Sequence, residues 1–253
     1  MTSFVPAAGA APQMRMLSAH TAMEFRLQLR NAEQVGLTLV IPLLLLVFFN
    51  LPLLYSLGVA RRIDFVVPSI IALAVMSAAF TGLAIGTGFE RKYAVLKRLG
   101  STALPRSVLV GAKTLSVLML ELVQVVLIAA VGLMLAWQPH GNPLYVLALV
   151  VLGTAAFGGL GLLLAGTLRA EVTLAAANLI WLVLLFAGGI AIPLSKYPHA
   201  LASILQYLPS AALSGGLHRV LQDGAGVPVH DLVTLLVWAV LALPAAARWF
   251  RWE

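Results

Sequence analysis

Six apolar segments, most of them twenty or more residues long, recur along this chain with only short polar breaks between them. No other feature constrains the fold as strongly. A span of about 20 apolar residues matches the hydrocarbon thickness of a bilayer, and inside that layer every backbone amide must be satisfied within the chain, which leaves helices or closed barrels. With 61% hydrophobic and 10% charged residues among 253, a soluble core could not hide the apolar surface. The prediction is an all-α membrane protein with spans at about 35–57, 68–88, 107–136, 144–168, 172–192 and 232–247. Residues 1–14, rich in Ala, Pro and Gly and free of charge, read as a flexible tail; residues 15–253 read as one transmembrane domain. Six spans leave no room for a large soluble catalytic domain, and a chain without cysteine has no disulfide or thiolate chemistry.

Lys and Arg are retained on the cytoplasmic side of a membrane. With the N-terminus inside, twelve of the sixteen basic residues face the cytoplasm and only Arg61, Arg62, Lys196 and Arg219 lie outside. Both termini are therefore expected in the cytoplasm of a multi-pass protein of the cytoplasmic (inner) membrane. Tyr55, Trp137, Tyr145, Tyr197 and Tyr207 fall near outer ends, and Tyr93, Trp249 and Trp252 near inner ones, as interfacial belts require. The net charge of +7 is thus a topology signal, and no nucleic-acid partner is called for.

Three connections carry helical patterning. Arg15 to Glu33 mixes Met16, Met23 and Leu27 with charges and predicts an interfacial helix on the inner leaflet, the plain alternative being a soluble helical leader. Phe89 to Gly100 places Phe89, Tyr93, Leu96 and Leu99 on one stripe beside a basic face, with Gly100 at the C-cap. It predicts one short amphipathic helix; ordinary anchoring to an anionic leaflet explains the same pattern. Pro193 to Asp231 is leucine-rich but interrupted by Pro198, Pro209 and Gly215-Gly216. It predicts short outer helices that dip into the bilayer, or a plain outer cap.

Within the spans, Glu121 is the acid lying deepest, with Gln124 close by on the same side. An intramembrane carboxylate faces the bundle interior or water, as part of a translocation path or as an interhelical contact. Asn178 reads as a packing contact. Ala78, Gly82 and Gly86, like Gly161 and Ala165, place small residues four apart, which permits close crossing. Nucleotide and metal signatures are missing: Lys113 in Gly111-Ala112-Lys113-Thr114 lacks the upstream glycine of a phosphate loop, and the five histidines show no ligand spacing. Leu213-Ser214-Gly215-Gly216 matches the start of an ATPase signature loop, but without a phosphate loop upstream it reads as coincidence.

Two stretches resemble a known family. Phe89-Glu90-Arg91-Lys92-Tyr93 through Thr102-Ala103-Leu104-Pro105-Arg106 resembles the acidic-basic pair, short helix and Thr-Pro-Leu-like turn of type 2 ABC transporter permeases of the drug-resistance and lipid-export kind. Ile192-Pro193-Leu194 through Leu208-Pro209 to Leu217-His218-Arg219 resembles their outer helices. The chain departs from that pattern at Tyr93-Ala94-Val95, Lys97 and Ala103. The resemblance implies a coupling helix in which Phe89, Glu90, Arg91, Tyr93, Leu96, Lys97 and Arg98 dock a separate ATPase chain. It also implies a second permease subunit, identical or homologous, with ATP and Mg bound by the partner ATPase and no cofactor on this chain. On that reading the chain is not itself an enzyme, and it moves a hydrophobic or amphipathic substrate outward. Glu121, Gln124 and Asn178 are its candidates for a translocation path or for interhelical polar contacts. An ion-gradient carrier using Glu121, or a non-transporting scaffold, are the alternatives.

Overall fold

The computed structural model describes residues 11–51 and 62–251, with the backbone alone at 32–34 and 37. The described chain is helical, with short turns between elements. α1 (Gln13–Arg30) and α2 (Ala32–Asn50) are separated at Asn31. α3 (Arg62–Met76), a π-helical segment (Ser77–Gly82) and α4 (Leu83–Lys92) form one continuous rod. α5 (Val95–Gly100) is a six-residue turn, followed by α6 (Arg106–Met134), α7 (Pro143–Thr167) and α8 (Ala170–Ala187). A single 3₁₀ turn, Leu194–Lys196, leads to α9 (His199–Leu205), α10 (Pro209–Leu221) and α11 (Val229–Trp249).

Five helices are long and apolar enough to cross a membrane: Arg62–Lys92, α6, α7, α8 and α11. They cover the second to sixth predicted spans. The second extends past its predicted ends at Pro68 and Gly88, from Arg62 to Lys92, and Glu90 in the added turn is paired with Lys113. The fifth stops at Ala187, short of Ile192, where Gly188 caps it and Gly189 takes φ +73°, a conformation open to glycine. In α2 the apolar helix runs over Thr38–Asn50, and the predicted continuation to Leu57, with Tyr55, lies outside the described residues, as do Arg61, Trp252 and residues 1–10 of the predicted tail.

Local chemistry sets several boundaries. At α7 the Asn142 side chain accepts from the Leu144 amide at 2.9 Å and Pro143 occupies the first turn, where its missing N–H costs nothing. The glycines of α7 set its packing. A Cβ at Gly161 would stand 2.6 Å from the Phe80 carbonyl oxygen, and one at Gly159 would stand 2.8 Å from the α11 backbone at Ala242. Both neighbours are backbone and cannot yield, so the π-segment and α11 lie against α7 at a distance only glycine allows. Gly161 thus makes the close crossing its spacing suggests, whereas Gly86 has nothing within 4 Å of its would-be Cβ.

The segment from Leu194 to Leu221 forms short helices as expected, but α10 is core and not a cap. Leu213 and Leu217 are fully buried, and α10 packs on α3, α7 and α11. His218 ties it to α3: its Nδ1 lies 2.7 Å from the Ser214 carbonyl, its Nε2 lies 3.1 Å from the Phe65 carbonyl and 3.2 Å from the Ser69 hydroxyl of α3, and the ring lies 4.7 Å from that of Phe65. Burial pushes the His218 imidazole below its ordinary value. Arg219 pairs with the buried Asp231 of α11 at 2.8 Å.

Candidate functional site

The helix predicted from Phe89 to Gly100 is broken. α4 runs to Lys92, and Ala94 then adopts φ 58°, ψ 19°, a left-handed conformation, before α5 begins. A left-handed residue breaks the right-handed helix, so the four-residue stripe cannot lie on one continuous helical face. Its members separate accordingly. Phe89 stacks on Tyr93 with centroids 6.2 Å apart, leaving Tyr93 67% exposed. Leu96 is wholly buried with Leu109 and Phe250 in a small core that Leu99 and Leu104 complete. Phe250 in turn lies over Gly166 and fastens the end of the chain to α7.

The basic face divides as well. Arg91 donates to the Leu168 carbonyl, and Lys92 pairs with Glu171 at the start of α8. Glu90 turns inward. What projects is a compact knuckle in which Tyr93, Val95, Lys97 and Arg98 are exposed, held from beneath by Leu96 and from the side by Arg91. Of the seven residues expected to dock a partner, Leu96, Glu90 and Arg91 therefore hold the knuckle in place.

Behind it lies a buried ionic cluster. Lys113 of α6 is 2% exposed, and its ammonium lies 2.9 Å from Glu24 of α1 and 2.7 Å from Glu90 of α4. His20 sits 3.4 Å from Glu24 on the preceding turn, and burial pushes its imidazole below the usual value despite that carboxylate. Three helices thus meet on one ammonium. The cost of burying Lys113 is met by two carboxylates at hydrogen-bonding distance, as a buried charge requires. One turn outward the Gln28 amide donates to the Ser116 hydroxyl at 3.0 Å. α1, predicted to lie along the leaflet, is accordingly packed against α6.

Above the cluster a cavity of about 410 Å³ opens among α1, α2, the α3–α4 rod, α6 and α8. Its walls are mainly apolar, and the π-segment contributes Ser77, whose hydroxyl accepts from Trp181 of α8 at 3.0 Å. Gln124 lines it and donates to the Thr38 carbonyl of α2 at 2.7 Å. Asn178 borders an adjoining recess, and its amide bonds within its own helix, to the Leu174 carbonyl at 2.9 Å. Glu121 is fully buried between α6 and α7, where it accepts from the Thr154 hydroxyl, and it is not part of the cavity wall. These three polar residues are thus distributed over three environments, and Gln124 is the one on the main cavity.

Sequence reasoning located the knuckle but missed the cluster beneath it. Lys113 was visible as a lysine seven residues inside a span, and such a charge must find a partner; Glu24 and Glu90, on two flanking helices, were the acids at the matching depth. Among the described residues no group of three or more His, Asp or Glu is placed to hold a metal ion. The sequence model of the family described as ABC-2 family transporter protein matches residues 61–248, from the start of the α3–α4 rod to the end of α11. No curated protein matches the chain.

Proposed function

The chain belongs to the ABC-2 transporter family, and from that premise we propose that it is the six-span permease subunit of an ATP-driven exporter, docking a separate ATPase through the knuckle between α4 and α5. The observation that carries this reading is the knuckle itself. An exposed aromatic side chain beside two cations projects from the junction of two spans, on a base made rigid by Leu96, Phe250 and the Lys113 cluster. Exposed apolar and basic groups on a rigid mount suit a protein partner, with Tyr93 as the anchor and Lys97 and Arg98 at the rim. A displacement of the knuckle would pass through Glu90 and Lys113 into α1 and α6 together, since packed elements move as bodies.

In this reading residues 15–253 are a single permease domain with both termini in the cytoplasm. It pairs with a second permease, and ATP and Mg reside on the partner. Substrate is a hydrophobic or amphipathic molecule moved outward. Co-purification with a candidate ATPase chain tests the docking. Tyr93→Asp is expected to abolish association and substrate-stimulated ATP hydrolysis while the permease still folds; intact coupling in Tyr93→Asp would overturn it.

A further inference from the structure

A second recess, which shares no residue with the central cavity, opens between α6 and α11. It measures about 750 Å³ and is bounded by Arg106, Ser107 and Gly111 of α6 and by Leu243, Ala247 and Arg248 of α11. Gly111 and Ala247 keep it open, since each helix contributes one of its smallest residues there. Arg106 is the first residue of α6 and Arg248 lies in the last turn of α11, so the two cations stand at one end of spans that run in opposite directions. Gly111 and Leu243 each follow five residues further in, about 7.5 Å along the helix axis. The recess is therefore cationic at its mouth and apolar below.

Nothing in the chain neutralises that mouth. Among the described residues neither the Arg106 nor the Arg248 guanidinium has a hydrogen bond or an ion pair, and the acids of this end are engaged elsewhere: Glu24 and Glu90 with Lys113, and Glu171 with Lys92. Both arginines are exposed, and so is Pro244 on the α11 wall, which leaves the space open to the surroundings of the bundle. At the end of a membrane span those surroundings are lipid headgroups and the first carbons of their chains. Guanidinium groups recognise phosphate oxygens through paired N–H donors, and basic pockets between spans suit anionic headgroups. A small soluble anion would meet the arginines but leave the apolar wall below them uncovered.

We propose that the recess between α6 and α11 holds an anionic phospholipid, with its phosphate between Arg106 and Arg248 and the start of its acyl chains along Leu243 and Ala247. A zwitterionic lipid has the phosphate but brings a cation of its own to two arginines, and it binds more weakly. The site requires a multi-pass chain but no ATPase partner, so it stands or falls separately from docking at Tyr93.

The test uses the full chain in nanodiscs and a phosphatidylglycerol bearing a diazirine near the carbonyl end of one acyl chain, with crosslinks mapped by mass spectrometry. Labelling is expected on α6 and α11 around Gly111, Leu243 and Ala247, and unlabelled phosphatidylglycerol should displace it. Phosphatidylcholine with the same chains, and inorganic phosphate at matched ionic strength, should leave it in place. An arginine beside an anionic headgroup contributes about fivefold in affinity, so Arg106→Gln with Arg248→Gln should weaken labelling about thirtyfold. Both side chains are exposed, so the fold should be kept. Arg26→Gln with Arg98→Gln, which removes two exposed cations outside the recess, should leave labelling nearly unchanged. Equal labelling in the two double variants would mean that the Arg106 and Arg248 pair forms no site. Equal displacement by phosphatidylcholine would remove the role of the charge, and displacement by inorganic phosphate would make the recess a soluble-anion site; each of these results overturns the proposal.

Discussion

Two ionisable side chains are buried eight residues apart on α6, and the helix treats them differently. Lys113 is met by Glu24 and Glu90 and has His20 one contact away. Glu121 accepts from the Thr154 hydroxyl, while its Oε1 has no hydrogen-bond partner among the described residues. The first is a junction that holds three helices in register. The second is one interhelical contact. A buried charge becomes structurally indispensable when other charges have been buried to meet it, and that difference can be tested by removing each in turn.

The largest effect is expected at Lys113. Lys113→Met leaves two carboxylates facing each other in a buried site, and breaking such a pair costs roughly 3–5 kcal/mol. Thermal unfolding in detergent should show a large loss of stability, with α1 released to proteolysis. Adding Glu24→Gln and Glu90→Gln should recover most of it, because the remaining amides carry no charge. A triple variant no more stable than Lys113→Met would show that the lysine acts by packing alone.

Thr154→Val comes next. It removes the hydroxyl on which Glu121 rests without changing the shape, and orphaning a buried acceptor costs about 1–3 kcal/mol. The loss should be smaller than at Lys113 and confined to the α6–α7 contact. If it equals that of Lys113→Met, the contrast between the two sites fails.

These unequal sites were unequally legible in the sequence. Uncharged length was enough for the spans from α3 to α11, because lipid leaves a helix as the available conformation for such a run. Glu121 was visible for the same reason, as an acid in an apolar field. The Lys113 cluster was not, since its acids sit on helices distant in the chain and their convergence is a tertiary fact. The knuckle was legible as a basic, aromatic segment but not as a broken helix: nothing in Tyr93-Ala94-Val95 announces a left-handed alanine, and Leu96 could be assigned to the inside only once Phe250 had been brought beneath it. α10 was legible as a short helix dipping inward but not as part of the core, since the contacts that bury it, from His218 to α3 and Arg219 to α11, come from other parts of the chain.

A pH titration separates the two ends of the molecule more finely. Burial lowers the imidazoles of His20, beside Glu24 and Lys113, and of His218, where the Asp223 charge offsets only part of the effect. Each has a folded value below its unfolded one, so the unfolded chain takes up the proton first. Stability is then full above about pH 6.5 and declines as the pH falls through that value, by at most about 1.4 kcal/mol for each tenfold loss of proton affinity on folding. Melting temperatures should drop from pH 7 to pH 5 in the parent, and His218→Gln should reduce the slope. An unchanged slope would show that His218 contributes nothing to the dependence.

The smallest effect is expected at Glu121 itself. Glu121→Gln keeps the shape and a carbonyl oxygen that can accept from Thr154, so stability should change by less than about 1 kcal/mol. In an ATP-driven permease transport should continue at a comparable rate, because Glu121 does not line the cavity. Abolished transport in a normally folded Glu121→Gln, together with transport that persists without ATP, would instead identify this carboxylate as an ion-coupling residue. It would also reverse the comparison: the carboxylate with one contact would be the functional group, and the fully paired lysine only its support.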